Sequence, residues 1–269
     1  MRRLSLAHLT LMVADPIALI DAASAAQFSH IGMRIVPPTP DARMRPVIGD
    51  VPYQRQIKQR LTETGLKVLD IEAFWLTAET GVAAIAPAFA FGAELGATYV
   101  VVVGNDPERS RLIDNHARLT ELAAAHGLKT SLEFIPYSEV KTIADATDIV
   151  RASGQAGAGL LVDALHLSRS GGSPADLAHL PAGLVHYLHL CDAPAALPPD
   201  VAAIRREARG ERLYPGEGQL PLAALLAAFP DVPVGIEAPD GRRAGLSFAE
   251  QAHLARAATL SVLHQPDNG

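Results

Sequence analysis

Cysteine is nearly absent from this chain of 269 residues, in which Cys191 is the single one. One cysteine cannot form an internal disulfide, and it cannot supply the thiolates of a cysteine-rich zinc module. Aromatic residues are also few, at 5%, whereas 49% of the residues are hydrophobic. A chain of this length buries most of its apolar surface on folding, so it needs no crosslink or structural metal to be stable.

An excess of positive charge is missing as well. The chain has 23 lysines and arginines against 29 aspartates and glutamates, which gives a net charge of −6. Binding to the phosphates of nucleic acid depends on clustered Lys and Arg, so this balance argues against a nucleic-acid partner. The high apolar content and the low density of charge also exclude a disordered chain.

Two apolar segments resemble an export signal and a membrane span, but both are interpreted as parts of a soluble fold. The N-terminal run Leu4–Val13 is interrupted by His8 and followed by Asp15, so we expect a buried first strand there. The segment 81–104 has one charge in 24 residues. Pro87 and two later glycines divide it into an alanine-rich helix and a β-branched strand. We therefore expect a cytoplasmic protein that does not cross a membrane.

Short β-rich apolar runs alternate with helical stretches along the whole chain. The runs begin near residues 4, 29, 66, 98, 129, 159, 184 and 232. Eight strand–helix units imply a parallel sheet covered by helices, and eight parallel strands close into a barrel of roughly 250 residues. An open doubly wound sheet usually has a Gly-rich loop after its first strand, and residues 9–16 contain no glycine. We predict an α/β fold, a single (β/α)8 TIM barrel that forms one domain over residues 1–269.

Capping residues predict where individual helices begin. Ser138 precedes apolar residues at three- and four-residue steps, which predicts a helix capped by Ser138. Ser247 and Glu250 form the capping-box pattern that opens the last helix. The apolar helix predicted near residues 83–95 would permit a homodimer face, although burial inside the protein explains its composition equally well.

Each of the last four predicted strands carries a metal-binding residue near its carboxyl end, where TIM barrels build their active sites. Glu133, Asp163 and Glu237 end strands five, six and eight, and His189 lies in strand seven. Any one acidic residue at a strand end is as well explained as a helix cap or a surface charge. Three acids on one barrel mouth, however, need a divalent cation to offset their repulsion. Oxygen ligands with one nitrogen suit Mn, Mg, Co or Zn, so we predict one such ion bound by these four residues.

Around these residues the sequence resembles the xylose-isomerase-like TIM-barrel superfamily, and within it the sugar phosphate isomerase/epimerase group. That group includes ketose 3-epimerases, hydroxypyruvate isomerases and inosose dehydratases, so the resemblance implies a small polyhydroxylated carbonyl compound as substrate. The segments that carry the resemblance are LEFIP (132–136), VDALH (162–166), YLHLCDA (187–193), PGEG (215–218) and GIE (235–237).

The resemblance also implies roles for individual residues. Glu133 and Glu237 match the acid/base pair of the family in addition to being metal ligands. His166 matches a histidine that contacts hydroxyl groups of the substrate. Independently of the family, we expect Glu72, inside the segment Asp70–Trp75, to point into the barrel mouth near the substrate.

One departure from the family concerns an arginine. Ketose epimerases carry it shortly after the strand-seven histidine, whereas residues 193–196 of this chain are alanines and a proline. Arg209 and Arg212, from the long loop that follows, are the candidates to replace it. The departure argues against a ketose as the substrate.

The residues and the resemblance lead to the same first chemical step. A metal that binds two substrate oxygens acidifies the C–H beside the carbonyl and stabilises the enediolate, and two glutamates move the proton. We predict a divalent-metal-dependent isomerase or epimerase of a small sugar or polyhydroxy carbonyl compound. The alternative is a metal-dependent dehydratase of the inosose or dehydroshikimate type, in which a β-hydroxyl group departs from the same intermediate.

Two other classes of protein are disfavoured. A metal-dependent endonuclease of the abasic-site type resembles this superfamily but needs additional histidines and a basic face. A non-catalytic interpretation, a sugar-binding or degenerate barrel, predicts a purified protein with no bound metal and no affinity for added Mn or Co.

Overall fold

Eight parallel strands form the centre of the computed structural model, which describes residues 2–37 and 44–264. Each strand pairs with the next one in the chain, and β1 pairs with β8, so the sheet is a closed barrel. The predicted TIM barrel is confirmed, and the open sheet is excluded. The strands are β1 (Leu4–Leu6), β2 (His30–Arg34), β3 (Lys67–Leu76), β4 (Tyr99–Gly104), β5 (Lys129–Glu133), β6 (Ala158–Asp163), β7 (Val185–Leu190) and β8 (Val234–Ile236).

Helices surround the barrel and cover its outer face. Together with the strands they bury one large apolar core in the described residues. The α-helices are α1 (Pro16–Ala25), α2 (Val51–Thr64), α3 (Ala86–Glu94), α4 (Arg109–Ala125), α5 (Ile143–Ser153), α6 (Ala164–Arg169), α7 (Val201–Gly210), α8 (Leu222–Ala228) and α9 (Phe248–Leu263).

The interior of the barrel is filled by side chains and is not a channel. A second, smaller apolar cluster contains Leu69, Tyr99, Val101, Leu161 and Tyr187, and the rings of Tyr99 and Tyr187 stack 5.1 Å apart. These residues come from four different strands and close the barrel from within. The polar residues at the carboxyl ends of the strands therefore lie above a packed floor.

The two ambiguous apolar segments are parts of this barrel. Leu4–Leu6 is the buried strand β1, and the segment 81–104 contains α3 and the fully buried strand β4, as predicted. A glycine brings α3 close to the sheet, because a Cβ at Gly92 would lie 2.6 Å from Ile71 Cδ1. Within the residues that the structure describes, no helix has the length and apolar character needed to cross a membrane.

One of the predicted helix starts is wrong. The hydroxyl of Ser138 donates to the carbonyls of Ile135 and Val140, and the helix begins later, at Ile143. Thr142 caps it, in a capping box with Asp145 that satisfies two free N–H groups of the first turn. The capping box of Ser247 at the start of α9 is confirmed.

Buried histidines make the stability of the fold sensitive to acid. His116 of α4 is fully buried, and within the described residues neither of its ring nitrogens has a hydrogen-bond partner. Burial lowers the pKa of His116 to about 4. The unfolded chain binds this proton near pH 6.5, so stability is lost as the pH falls from about 6.5 to 4, by up to about 3 kcal/mol for this one residue.

We predict that His116→Gln makes the free energy of unfolding less dependent on pH between 7 and 4.5. Urea unfolding at a series of pH values measures this slope. His253→Gln, at an exposed position of α9, serves as the matched control and should leave the slope as it is in the unchanged protein. Equal slopes for the two variants would contradict the prediction.

Candidate metal centre and active site

The four predicted metal ligands meet at the carboxyl ends of β5 to β8. Glu133 and Asp163 are the last residues of their strands, His189 lies in β7, and Glu237 follows β8 directly. One potential ligand atom from each residue lies within 4.8 Å of those of the other three, and all four residues are buried. Four successive strands thus bring together groups that are far apart in the sequence.

The chemistry of these groups fits a divalent cation. Glu133 Oε1 and both ring nitrogens of His189 have no hydrogen-bond partner among the described residues, although they are buried. His189 Nδ1 lies 3.7 Å from Glu237 Oε1. Buried polar atoms without partners are unfavourable unless something else binds them. Carboxylate oxygens with one imidazole nitrogen are a ligand set that hard and borderline divalent ions accept.

The charges in the cluster shift one another strongly. Burial, followed by the charges of Glu237 and Asp163, raises the pKa of Glu133 well above its usual range. Burial alone would lower the pKa of His189, but Glu237 and Glu133 outweigh it and raise that pKa to about 10. Burial raises the pKa of Glu237, but Arg212 and His189 outweigh it, so the net shift is downward. In the absence of an ion, a proton on His189 therefore offsets part of the negative charge of the cluster at pH 7.

Arg212 also offsets part of the negative charge of the cluster, and the sequence did not reveal this role. It was predicted only as a substrate contact, yet its side chain is buried and bonded to two of the predicted metal ligands. Its Nη1 donates to Asp163 Oδ2 at 2.7 Å, and its Nη2 lies 3.0 Å from Glu237 Oε2. An arginine therefore offsets part of the negative charge that the sequence analysis assigned to a divalent cation.

The remaining predicted substrate contacts surround the cluster. The backbone N–H of His166 donates to Asp163 Oδ1 at 2.9 Å, and its ring packs edge-on against Tyr137 with centroids 5.9 Å apart. Burial lowers the pKa of His166 to about 4, so its ring is neutral at pH 7. Glu72 is buried in β3, with its Oε1 3.8 Å from Arg34 Nε.

Arg209 does not come from an irregular loop. The segment between β7 and β8 contains the helices α7 and α8, and Arg209 is an exposed residue of α7. Its side chain nevertheless lines the cavity above the cluster, as Arg212 does.

A cavity of about 690 Å³ opens above the cluster and is large enough for a small polyhydroxylated molecule. Much of its lining is apolar and includes Val36, Ile48, Trp75, Ile85 and Ile135. Asp163 and His189 lie beneath it and do not line it. The predicted residues that do line it are Glu72, Glu133, His166, Arg209, Arg212 and Glu237.

Sequence reasoning missed three ionisable residues of this region. Tyr137 and Arg205 line the cavity, and Asp70 of β3 is buried with neither carboxylate oxygen hydrogen-bonded within the described residues. Burial and the nearby Glu72 raise the pKa of Asp70 well above its usual range. An acid inside an apolar strand, Val68-Leu69-Asp70-Ile71, was the available signal for Asp70, and the four-residue spacing to Arg209 was the signal for Arg205.

The chain belongs to the xylose isomerase-like TIM barrel family, whose sequence model matches residues 20–258. It is 34% identical to the 3-dehydroshikimate dehydratase of Pseudomonas aeruginosa over 152 residues, which are 54% of this chain and 23% of that protein. It is 32% identical to the inosose isomerase of Halalkalibacterium halodurans over 111 residues, which are 40% of this chain and 37% of that protein. The chain thus spans well under half the length of these two curated relatives.

Solved structures share the fold. The IolI protein, crystallised with a zinc atom, aligns with a TM-score of 0.80 at 20% identity over 98% of both chains. An L-ribulose 3-epimerase aligns with a TM-score of 0.74 at 18% identity, over 98% of this chain and 95% of that one. At such identities the agreement concerns the barrel itself.

We predict that Arg212→Gln destabilises the metal-free protein at pH 7. Removing the guanidinium leaves Asp163 and Glu237 buried without their cationic partner, which should lower the free energy of unfolding by about 3–5 kcal/mol. Adding Mn²⁺ should recover part of this loss, because a divalent cation offsets the same two carboxylates.

Denaturant unfolding with a chelator, and then with Mn²⁺, measures both effects. Arg118→Gln, at an exposed position of α4, is the matched control and should change stability by less than about 0.5 kcal/mol. The interpretation of Arg212 is wrong if its variant is as stable as this control.

Proposed function

We propose that this chain is a divalent-metal-dependent enzyme that moves a proton beside the carbonyl group of a small polyhydroxylated compound, as an isomerase or epimerase. One observation carries the proposal. Two buried glutamates, Glu133 and Glu237, line the same cavity and also belong to the only group of potential metal ligands found in the described residues. Proton transfer at carbon needs such positioned bases next to a source of positive charge.

The four clustered residues divide into two kinds. Asp163 and His189 lie beneath the cavity, so they would act as metal ligands alone, whereas Glu133 and Glu237 would hold the ion and also reach the substrate. A bound divalent ion would polarise the substrate carbonyl and stabilise the negative charge that deprotonation places on its oxygens. Arg212 would keep the carboxylates of Asp163 and Glu237 oriented toward the ion.

The two glutamates would share the proton transfers. They come from β5 and β8, three strands apart around the barrel, so they would approach a bound substrate from different sides. One would accept the proton from carbon and the other would return a proton. Return to the opposite face inverts the carbon, and return to the neighbouring carbon interconverts aldose and ketose.

His166 would position the substrate. Its Nδ1 is buried and has no hydrogen-bond partner among the described residues, and its ring lines the cavity. A substrate hydroxyl would satisfy this nitrogen. Glu72, on the other side of the cavity floor, offers an acceptor for a second hydroxyl, because its Oε1 also has no hydrogen-bond partner in the described part of the chain.

A metal-dependent dehydratase is the second candidate. The 34% identity to a 3-dehydroshikimate dehydratase over 152 residues favours it, although the match covers 23% of that protein. The first step is the same removal of a proton beside a carbonyl, and the two activities differ in whether a β-hydroxyl group then departs. In either case we propose that residues 1–269 act as one catalytic barrel domain on a small molecule.

Incorporation of solvent deuterium tests the proposal. Protein loaded with Mn²⁺ is incubated in D₂O with a panel of ketoses, inososes and hydroxy-keto acids, and deuterium at the carbon beside the carbonyl is measured by mass spectrometry. We expect incorporation into at least one compound. Glu237→Gln should reduce it by about 10²-fold or more, because the substitution removes a proton-transferring group.

Metal analysis of the same Glu237→Gln sample shows whether the ion is retained. Glu121→Gln, at an exposed position of α4, is the control and should exchange at the rate of the unchanged protein. Undiminished exchange in Glu237→Gln would refute the assignment of this residue.

Ultraviolet absorbance separates the two candidate activities. Dehydration of a hydroxy-keto compound gives a conjugated enone, whereas epimerisation and isomerisation give a product of the same mass without such absorbance. We expect a stereoisomer or positional isomer in the product analysis. An enone absorbance that grows while no isomer forms would favour the dehydratase over the isomerase or epimerase.

A further inference from the structure

Four arginines line the cavity of the proposed active site, and they differ in their partners. Arg34 lies beside Glu72, and Arg212 bonds to two carboxylates of the metal cluster. Arg205 and Arg209 form no ion pair with any carboxylate in the part of the chain that the structure describes. Two positive charges at the cavity are therefore uncompensated, in a protein whose net charge is −6.

The two uncompensated arginines lie on the same face of helix α7. Arg205 and Arg209 are four residues apart in α7, so their side chains are neighbours. Both side chains are exposed, so their like charges repel each other only weakly, and an anion bound between them would remove this repulsion. The guanidinium carbon of Arg205 also lies 5.2 Å from the centre of the Tyr137 ring, which packs against His166.

Buried polar contacts anchor helix α7 in this position. Its Glu207 forms a buried, two-point ion pair with Arg169 of α6, with both N–O distances 2.7 Å. Its Ala208 carbonyl accepts from Arg212 Nε at 2.8 Å. The helix that carries the two free arginines is thus tied both to α6 and to the arginine of the metal cluster. An anchored helix keeps the backbone of Arg205 and Arg209 in place when a ligand binds, although their exposed side chains still become ordered.

We propose that Arg205 and Arg209 bind an anionic group of the substrate, a carboxylate or a phosphate, and that the substrate is therefore a negatively charged carbonyl compound. Guanidinium groups recognise both anions through paired N–H donors. The apolar residues that line the rest of the cavity carry no charge that would compete with the two arginines. This inference rests on the proposed function, because it assumes that one substrate molecule contacts both the metal cluster and helix α7.

Matched pairs of ligands test the proposal on the Mn²⁺-loaded protein. One pair is 3-dehydroshikimate and its carboxamide, and the other is a ketose and its terminal phosphate ester. Isothermal titration calorimetry measures the affinity of each. We expect the charged member of at least one pair to bind at least tenfold more tightly, and the pair that shows the preference identifies carboxylate or phosphate as the group recognised.

Substitutions in α7 test whether its two arginines cause this preference for charged ligands. Arg205→Gln and Arg209→Gln should each weaken binding of the charged ligand several-fold and raise KM for a charged substrate with little change in kcat. The double variant should bind the charged and uncharged members equally. Arg118→Gln, which removes one exposed charge far from the cavity, should keep the full preference.

The outcomes separate this inference from the proposed function. Equal binding of charged and uncharged ligands by the unchanged protein, with deuterium exchange intact on a neutral inosose, overturns the anion site and leaves the enzyme. A charge preference that the double variant retains also overturns it. A preference that depends on both arginines, in a protein that exchanges no compound of the panel, supports the anion site and overturns the proposed activity.

Discussion

Three carboxylates and an imidazole are buried together at one end of the barrel, and this concentration of charge is the constraint on which the rest of the site depends. Isolated buried charges would be strongly unfavourable, so the cluster exists only with compensation. The protein supplies one positive charge itself, through Arg212. Among the described residues, Glu133 Oε1 and the ring nitrogens of His189 have no hydrogen-bond partner, so these atoms are available to bind a cation that supplies the remainder.

Arg212 also links the cluster of carboxylates and imidazole to the wall of the cavity. It contacts Asp163 and Glu237 at one end of its side chain, and through Nε it holds the carbonyl of Ala208 in α7. On the buried side of the same helix, Glu207 forms an ion pair with Arg169 of α6. Buried ion pairs and a hydrogen bond to backbone thus hold the cluster and helix α7 in fixed positions, which is the arrangement that a preorganised site requires.

Much of the barrel and of the cluster could be predicted from the sequence, because both depend on short-range patterns. Fully buried parallel strands give continuous apolar runs, and Glu133, Asp163 and Glu237 stand out because each closes such a run. The contacts of Arg212 could not be predicted, since they join residues 49 positions apart in the sequence through the packing of α7. The start of α5 was misplaced because Ser138 and Thr142 are both suitable caps, and only Thr142 has Asp145 at the third helical position.

Anomalous X-ray diffraction from crystals of the protein grown with Mn²⁺ tests the central claim most directly. The charge balance of the cluster predicts one manganese ion per chain, bonded to carboxylate oxygens of Glu133, Asp163 and Glu237 and to a ring nitrogen of His189. Arg212 should remain beside two of these carboxylates. A saturating concentration of Mn²⁺ that gives no anomalous peak at these four residues would show that protons and Arg212 alone compensate the cluster, and would contradict a metal-dependent site.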